Sequence, residues 1–335
     1  MTHRTLAFLS TISGLVLVMS VPAASQPGRN SFEVPMTSDG RPDLGGVRDV
    51  RTVTPLERPA QLGNKTYFTD EEAAGFATDQ VRERNVDLNR ATTTAARRAV
   101  NGTRESVDLA ATYNKCWYDR GTTVVTTRRT FLVIDPPDGR IPARTQAART
   151  RASERVNLSQ RITQGREDRS LGERCIVRPN AGPPMTPAGY NNNGQIFQTA
   201  DFVAILTEQI HDARIVPLDQ TPYLPQDLRQ WMGDSRGRWE GDTLVVETTK
   251  FNGQKDFQGA AAEMHLVERF RRADADPLLY EFTVTDPDSF VRQWTAQIPM
   301  RRSLDAIYEY ACHEGNYGME GTLSGARAIE RAARN

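Results

Sequence analysis

A chain of 335 residues is long enough for one large domain or two small ones, with ample material for a core. Lys+Arg and Asp+Glu both number 42, so no whole-chain field draws it to nucleic acid or to an anionic membrane. Composition thus argues against a polybasic binder and leaves a core-forming, globular chain.

The first residues bear on the compartment. Arg4 supplies a positive start, Leu6 to Val21 an apolar run, and Ala23-Ala24-Ser25 small residues before Gln26. This reads as a secretory signal peptide over residues 1–25, too short and wrongly flanked for a stable membrane span. No later stretch approaches membrane-spanning length, so a periplasmic or secreted chain is expected, with no transmembrane segment after processing. Cys116, Cys175 and Cys312 then sit in an oxidising compartment, where three cysteines allow one bridge and leave one over. Spacing alone does not choose the pair.

Residues 26 to about 66 are rich in Pro, Gly, Arg and Thr and read as an extended arm on the surface of the main body. Thr69 to Glu72 has the form of a capping box, and a helical segment with a thin apolar stripe follows to about Arg98. From Gly121 the period changes. Thr122–Thr127 and Arg129–Ile134 are β-branched and aromatic, and Asp135 to Gly139 ends the run. Thr145 to Val156 reads as an exposed helix. After the Pro/Gly loop that precedes Tyr190, short strands are predicted over Gln195–Thr199, Phe202–Glu208, Ala213–Pro217, Met264–Arg272, Leu278–Thr285, Val291–Ile298 and Ile307–Cys312. Between the third and fourth of these, Arg238 to Glu240, the turn Gly241-Asp242, and Thr243 to Thr249 form a tight hairpin. In its second arm Leu244, Val246 and Thr248 face one way and Val245, Glu247 and Thr249 the other. Leu323 to Ala332 has helical spacing.

Strands in close succession with no helical pattern between them imply antiparallel pairing. The expected fold is therefore mainly β: an antiparallel meander closing into a lipocalin-like barrel or a sandwich, with N-terminal helical elaboration. By residues, 1–25 is the signal peptide, 26–120 the arm and helices, and 121–335 the β core with its C-terminal helix.

Beyond the leader there are three histidines. His211-Asp212 and His313-Glu314 adjoin acids, and His265 opens a strand that also carries Glu268. Such pairs suit acid–base work; no HxH or HExxH spacing supports a metal, so none is assigned, and no cofactor follows from the sequence. His313 and His211 are the candidate acid/base residues, oriented by Glu314 and Asp212. Tyr190, Asn191, Asn192, Asn193 and Gln195 place carboxamides at a strand entrance, suited to reading hydroxyl groups, although Asn is also an ordinary turn residue. Trp231, Asp234 and Arg236 crowd the central stretch as a binding surface for a planar or sugar-like ligand. Trp239 is expected to plug a barrel end instead. Asp234-Ser235 with a histidine would suggest a Ser-His-Asp triad, but no G-x-S-x-G elbow is present.

Asn191-Asn192-Asn193-x-Gln195, His211-Asp212-Ala213-Arg214, the run from Arg229 to Leu244, and Tyr308 to Tyr317 together resemble a large family of exported bacterial proteins without a settled activity. The resemblance implies motif positions and not a reaction. It implies a Cys175–Cys312 bridge with Cys116 free, and it adds Asn316 and Tyr317 to the candidate ligand-binding residues. It also marks Arg48 as unusual, since similar proteins have Trp there. Three functions follow as expectations: a hydrolase or lyase acting on a small polar or aromatic molecule at a barrel mouth, a non-catalytic small-molecule binder using that mouth, or a structural or envelope-interaction protein. The partner in the first two is a small molecule, not nucleic acid.

Overall fold

The structure, a computed structural model, describes residues 32–89, 115–160, 162–178, 181–219, 221–255, 257–272 and 274–334. The leader-like segment and the stretch between residues 90 and 114 lie outside the described residues.

Ten strands form one antiparallel sheet that curls into a nearly closed barrel. They are β1 (Gly46–Asp49), β2 (Val133–Asp135), β3 (Asn193–Gln198), β4 (Phe202–Thr207), β5 (Ala213–Pro217), β6 (Asp234–Glu240), β7 (Thr243–Thr249), β8 (His265–Arg272), β9 (Leu278–Thr285) and β10 (Trp294–Arg302). The order around the sheet is β5-β4-β3-β1-β10-β9-β8-β7-β6, with β2 as an extra partner of β10. Among the described residues the α-helices are α1 (Asp70–Glu83), a short α2 (Val86–Asn89), α3 (Gln146–Gln160) and α4 (Tyr317–Ala332). Among the described residues no helix is long and apolar enough to cross a membrane.

The sequence pattern accounts for most of this. The β6–β7 hairpin turns at Gly241, which takes φ +58°, and pairs Glu240 with Thr243. Alternation along β7, β8 and β9 sends Leu244, Val246, Leu266, Phe270, Tyr280 and Phe282 inward, where they join one core cluster with Trp294. Trp294 stacks on Phe257 at 6.0 Å between ring centres and meets Phe282 edge-on at 5.7 Å. The interior is thus filled by side chains and not hollow, unlike a ligand-holding lipocalin barrel. Trp239 points inward from β6, half-buried against the core with Arg41 over its ring at 5.8 Å, in keeping with a plug.

Three expectations need correction. The arm is not only a surface strap: β1 lies between β3 and β10 and completes the sheet. Its four residues are too few to show a period. β10 makes room for it by changing partners, pairing with β2 at Thr295 and Ala296 and with β1 at Arg301 and Arg302. Pro299, which has no N–H to donate, falls between the two partners. Residues 122–127 form no strand, and only Val133–Asp135 of the following run does. Ile307–Cys312 is also not a strand: it is coil of exposed and half-buried residues, tied down by the Cys175–Cys312 disulfide. β-branched and aromatic residues favour strands only where a neighbouring strand is there to pair with.

The expected capping box is present. Thr69 Oγ1 accepts from the Glu72 amide at 3.2 Å, and Glu72 accepts from the Thr69 amide at 2.9 Å. α1 buries Ala73 and Ala77 against Val53, Phe68 and Val124 in a second, smaller cluster. α3 starts where Thr145 Oγ1 accepts from the Ala148 amide, and Arg151 and Arg155 tie it to Ser289 and to the Gly253 carbonyl.

Closure at the β5–β6 seam uses side chains, because the two strands share no ladder. A Cβ on Gly237 of β6 would lie 2.7 Å from Leu218 Cδ2 and 2.9 Å from Val216 Cγ1, so only glycine permits the approach. Arg214 of β5 reaches across to Thr248 at 3.3 Å and forms a two-pronged ion pair with Glu268 of β8. Glu268 is fully buried and also accepts from the Tyr280 hydroxyl at 2.8 Å. Lys255, itself buried, donates to the Gly182 and Pro183 carbonyls beside this group. Burial, and then the nearby Arg214, push its amine down to about 7. The same environment, with Glu268, holds the Tyr280 phenol well above its usual range.

Candidate functional site

A groove of about 560 Å³ lies on the outer face of β7 and β8, walled by the 223–226 segment and the turn before β8. Thr249 at the end of β7 and His265 at the start of β8 line it from the sheet, and strand alternation sets what stands beside them. Arg236 pairs across with Glu247, and Glu247 with Val267, so these side chains share the outward face on which His265 also lies. His265 Nε2 is 3.7 Å from Glu247 Oε2, while Arg238 Nη1 holds the other Glu247 oxygen at 2.6 Å. The carboxylate is thus fixed by an arginine on one side and stands near an imidazole on the other, without a hydrogen bond between the two.

The wall carries Tyr223, whose ring lies under Arg236 at 5.0 Å. Burial, and then Glu247, raise its hydroxyl above the ordinary phenol value. The segment is held by the central motif: Asp234 Oδ2 accepts from the Leu224 amide at 2.7 Å, and Arg236 donates to the Thr221 and Pro222 carbonyls. At the opposite rim Arg229 bridges the Phe251 and Ala262 carbonyls and Glu263. Lys250 sits at φ +61°, unfavourable for a side chain of its kind, and donates to Gln226 at 2.7 Å. Strain of this sort collects at binding sites.

Of the residues expected at a barrel mouth, Asp234 and Arg236 support this groove from behind its wall, and Trp231 is half-buried in the segment that runs beside Phe251. The others lie elsewhere. Asn192 is buried and acts as a clasp, accepting from the Ala188 amide and donating to the Asp119 and Ala188 carbonyls. Asn191 takes φ +52°, the turn role open to Asn, and Asn193 and Gln195 belong to β3. Tyr190 is half-buried with Arg178 over its ring at 5.9 Å. His313, Glu314 and Tyr317 are exposed, with no side-chain ion pair between His313 and Glu314, while Asn316 donates weakly to the Glu173 carbonyl and to Cys175 Sγ. Asp212 follows the turn that enters β5, close enough to Lys255 to act on its charge. The side chain of His211 lies outside what is described. Among the described residues no group of three or more His, Cys, Asp or Glu is arranged to hold a metal ion.

Two sequence pairings do not form. His265 and Glu268 are three apart on one strand and so point to opposite faces, His265 outward and Glu268 into the barrel. Asp234 and Ser235 are likewise on opposite faces, with Ser235 hydrogen-bonded to Thr248 inside, so no Ser-His-Asp triad is assembled around them. Glu247, Tyr223 and Lys250 were missed as site residues. Alternation already placed Glu247 outward, but its pairing with His265 needs the β7–β8 register. The expected disulfide joins Cys175 to Cys312, and Cys116 is free and exposed. Comparison of the chain with protein-family models, with curated proteins and with solved structures finds no match.

Proposed function

We propose that this is an exported hydrolase or lyase that takes a small polar or aromatic molecule into the outer groove, with His265 as its acid/base residue. The observation that carries this reading is the Arg238–Glu247–His265 arrangement, whose histidine lines a groove of ligand size. Glu247 places a carboxylate beside the imidazole, Tyr223 offers a hydroxyl and an aromatic face, and Lys250 and Gln226 supply polar contacts at the rim. Export rests on the leader-like N-terminus together with the disulfide.

The spacing of 3.7 Å exceeds a hydrogen bond and favours one second reading, a non-catalytic binder of the same kind of molecule. Fragment soaks with small phenols, amides and carboxylates, followed by turnover assays on ester and elimination-prone derivatives of the hits, separate the two. Hits should lie in the groove for wild type and His265→Gln alike, and turnover should fall about 100-fold or more in the variant. Binding without turnover in either protein would leave the binder. Hits that avoid the groove, or turnover that follows His313→Ala or His211→Ala instead, would sink this assignment.

A further inference from the structure

A second cleft, about 370 Å³ in volume, shares no lining residue with the groove. Two half-buried arginines, Arg84 at the end of α1 and Arg120, line it together. Each guanidinium carries a fork of N–H donors suited to bidentate capture of an oxyanion. Almost none of these donors is spent on a described residue. Arg84 makes one long hydrogen bond, from Nη2 to the Val53 carbonyl at 3.4 Å, and Arg120 makes none to a described residue, its guanidinium lying 4.4 Å over the Tyr118 ring. Neither forms an ion pair within 4.0 Å with a described carboxylate. Asp119, next in sequence to Arg120, is taken by Arg51.

Two unpaired cations held together cost free energy, and the cost is visible: burial, and then Arg120, lower the pKa of Arg84. The protein nevertheless holds Arg120 in place. Tyr118 and Arg120 lie against Gly189, where a Cβ would sit 3.4 Å from the tyrosine ring and 3.8 Å from Arg120 Nε. Asn192 locks that wall by bridging the Asp119 and Ala188 carbonyls, and the Asp119 amide donates to Gly189 at 2.7 Å. One of the consecutive asparagines singled out in the sequence therefore braces this cleft. Thr186, buried beside it, adds a hydroxyl with no hydrogen bond to a described residue.

We infer that Arg84 and Arg120 form a binding site for the oxyanion of a small molecule, a phosphate or a carboxylate, in this cleft. A bound anion would remove the repulsion between the two guanidinium groups and use their free donors, which is where the affinity comes from.

The test is calorimetric titration of the full exported chain with inorganic phosphate and, separately, with malonate, at one fixed ionic strength. Wild type should bind at least one of them saturably, and the one preferred identifies the phosphate or the carboxylate as the natural group. Arg84→Met and Arg120→Met should each weaken that binding at least tenfold. In anion-free buffer both variants should melt at or above wild type, since each relieves a like-charge contact, and the anion-dependent rise in Tm should disappear. If a methionine variant does not fold, Arg120→Lys keeps the charge without the fork and should still bind several-fold more weakly than wild type. Absence of saturable binding to either anion, or variants that bind as tightly as wild type, would overturn the proposal.

Discussion

Glu247 and Glu268 lie on adjacent strands, each beside an arginine, yet on opposite faces of the sheet. Glu268 points into the barrel, fully buried, and pairs with Arg214 across the seam that no ladder closes. Glu247 points out with its side chain 30% exposed, pairs with Arg238 and faces His265 at the groove. The same two residue types do different work because burial changes their energetics. Inside, neither charge can be left alone, so the pair holds the barrel shut; outside, water compensates either partner, and the pair is free to stand beside an imidazole. One step along a strand decides which role a carboxylate takes.

The comparison breaks most visibly at the inner pair. Glu268→Ala leaves the Arg214 guanidinium and the Tyr280 hydroxyl buried without their acceptor, and should cost about 3–5 kcal/mol in denaturant unfolding. Replacing both partners, Arg214→Met with Glu268→Leu, should recover most of that loss, since the desolvation penalty goes with the charges. A loss below about 1 kcal/mol for Glu268→Ala would show that the seam does not depend on the pair.

Lys255 sharpens the same point through pH. Its folded-state pKa of about 7 lies below the ordinary lysine value of 10.5, so the unfolded chain binds more protons between those limits. The cost of the buried charge is fully present below about pH 7 and is relieved as pH rises toward 10.5. Stability from this group should therefore climb by up to about 1.4 kcal/mol per pH unit within that window. Melting curves of Lys255→Met should lack this slope, and an identical slope in both proteins would place its origin elsewhere.

At the seam itself, Gly237→Ala adds a methyl where Leu218 and Val216 already stand, and should destabilise by about 1–3 kcal/mol without touching a charge. A neutral result would mean that β5 and β6 lie further apart than described here. The smallest effect on stability belongs to the outer pair. Glu247→Gln should change unfolding by about 0–1 kcal/mol while lowering the turnover proposed for the groove, because it removes the carboxylate beside His265. A large loss of stability with unchanged turnover would reverse the roles assigned to the two faces.

Much of the fold was legible. Period-two runs between turn residues marked β4, β5, β7, β8 and β9 within a residue or two, because a strand with one buried face must alternate. The capping box at Thr69 and the Gly241 hairpin are local chemistry that needs no distant partner. The disulfide came by way of family resemblance and not from spacing. What failed was non-local. Ile307–Cys312 has strand composition but no strand to pair with, and β1 is a strand only because β3 and β10 flank it.

The candidate site was less legible than the fold. The sequence by itself determined that Glu247 faces outward, that Asp234, Arg236 and Trp231 cluster in one stretch, and that the histidines are few. Tertiary structure alone decided that His265 meets Glu247 and not Glu268, that Arg214 closes the seam, and that Arg84 and Arg120 share a cleft although 36 residues separate their numbers. The physical reason is that alternation fixes which face a side chain takes, whereas register and closure, set by the sum of many pairings along the sheet, fix what it finds there.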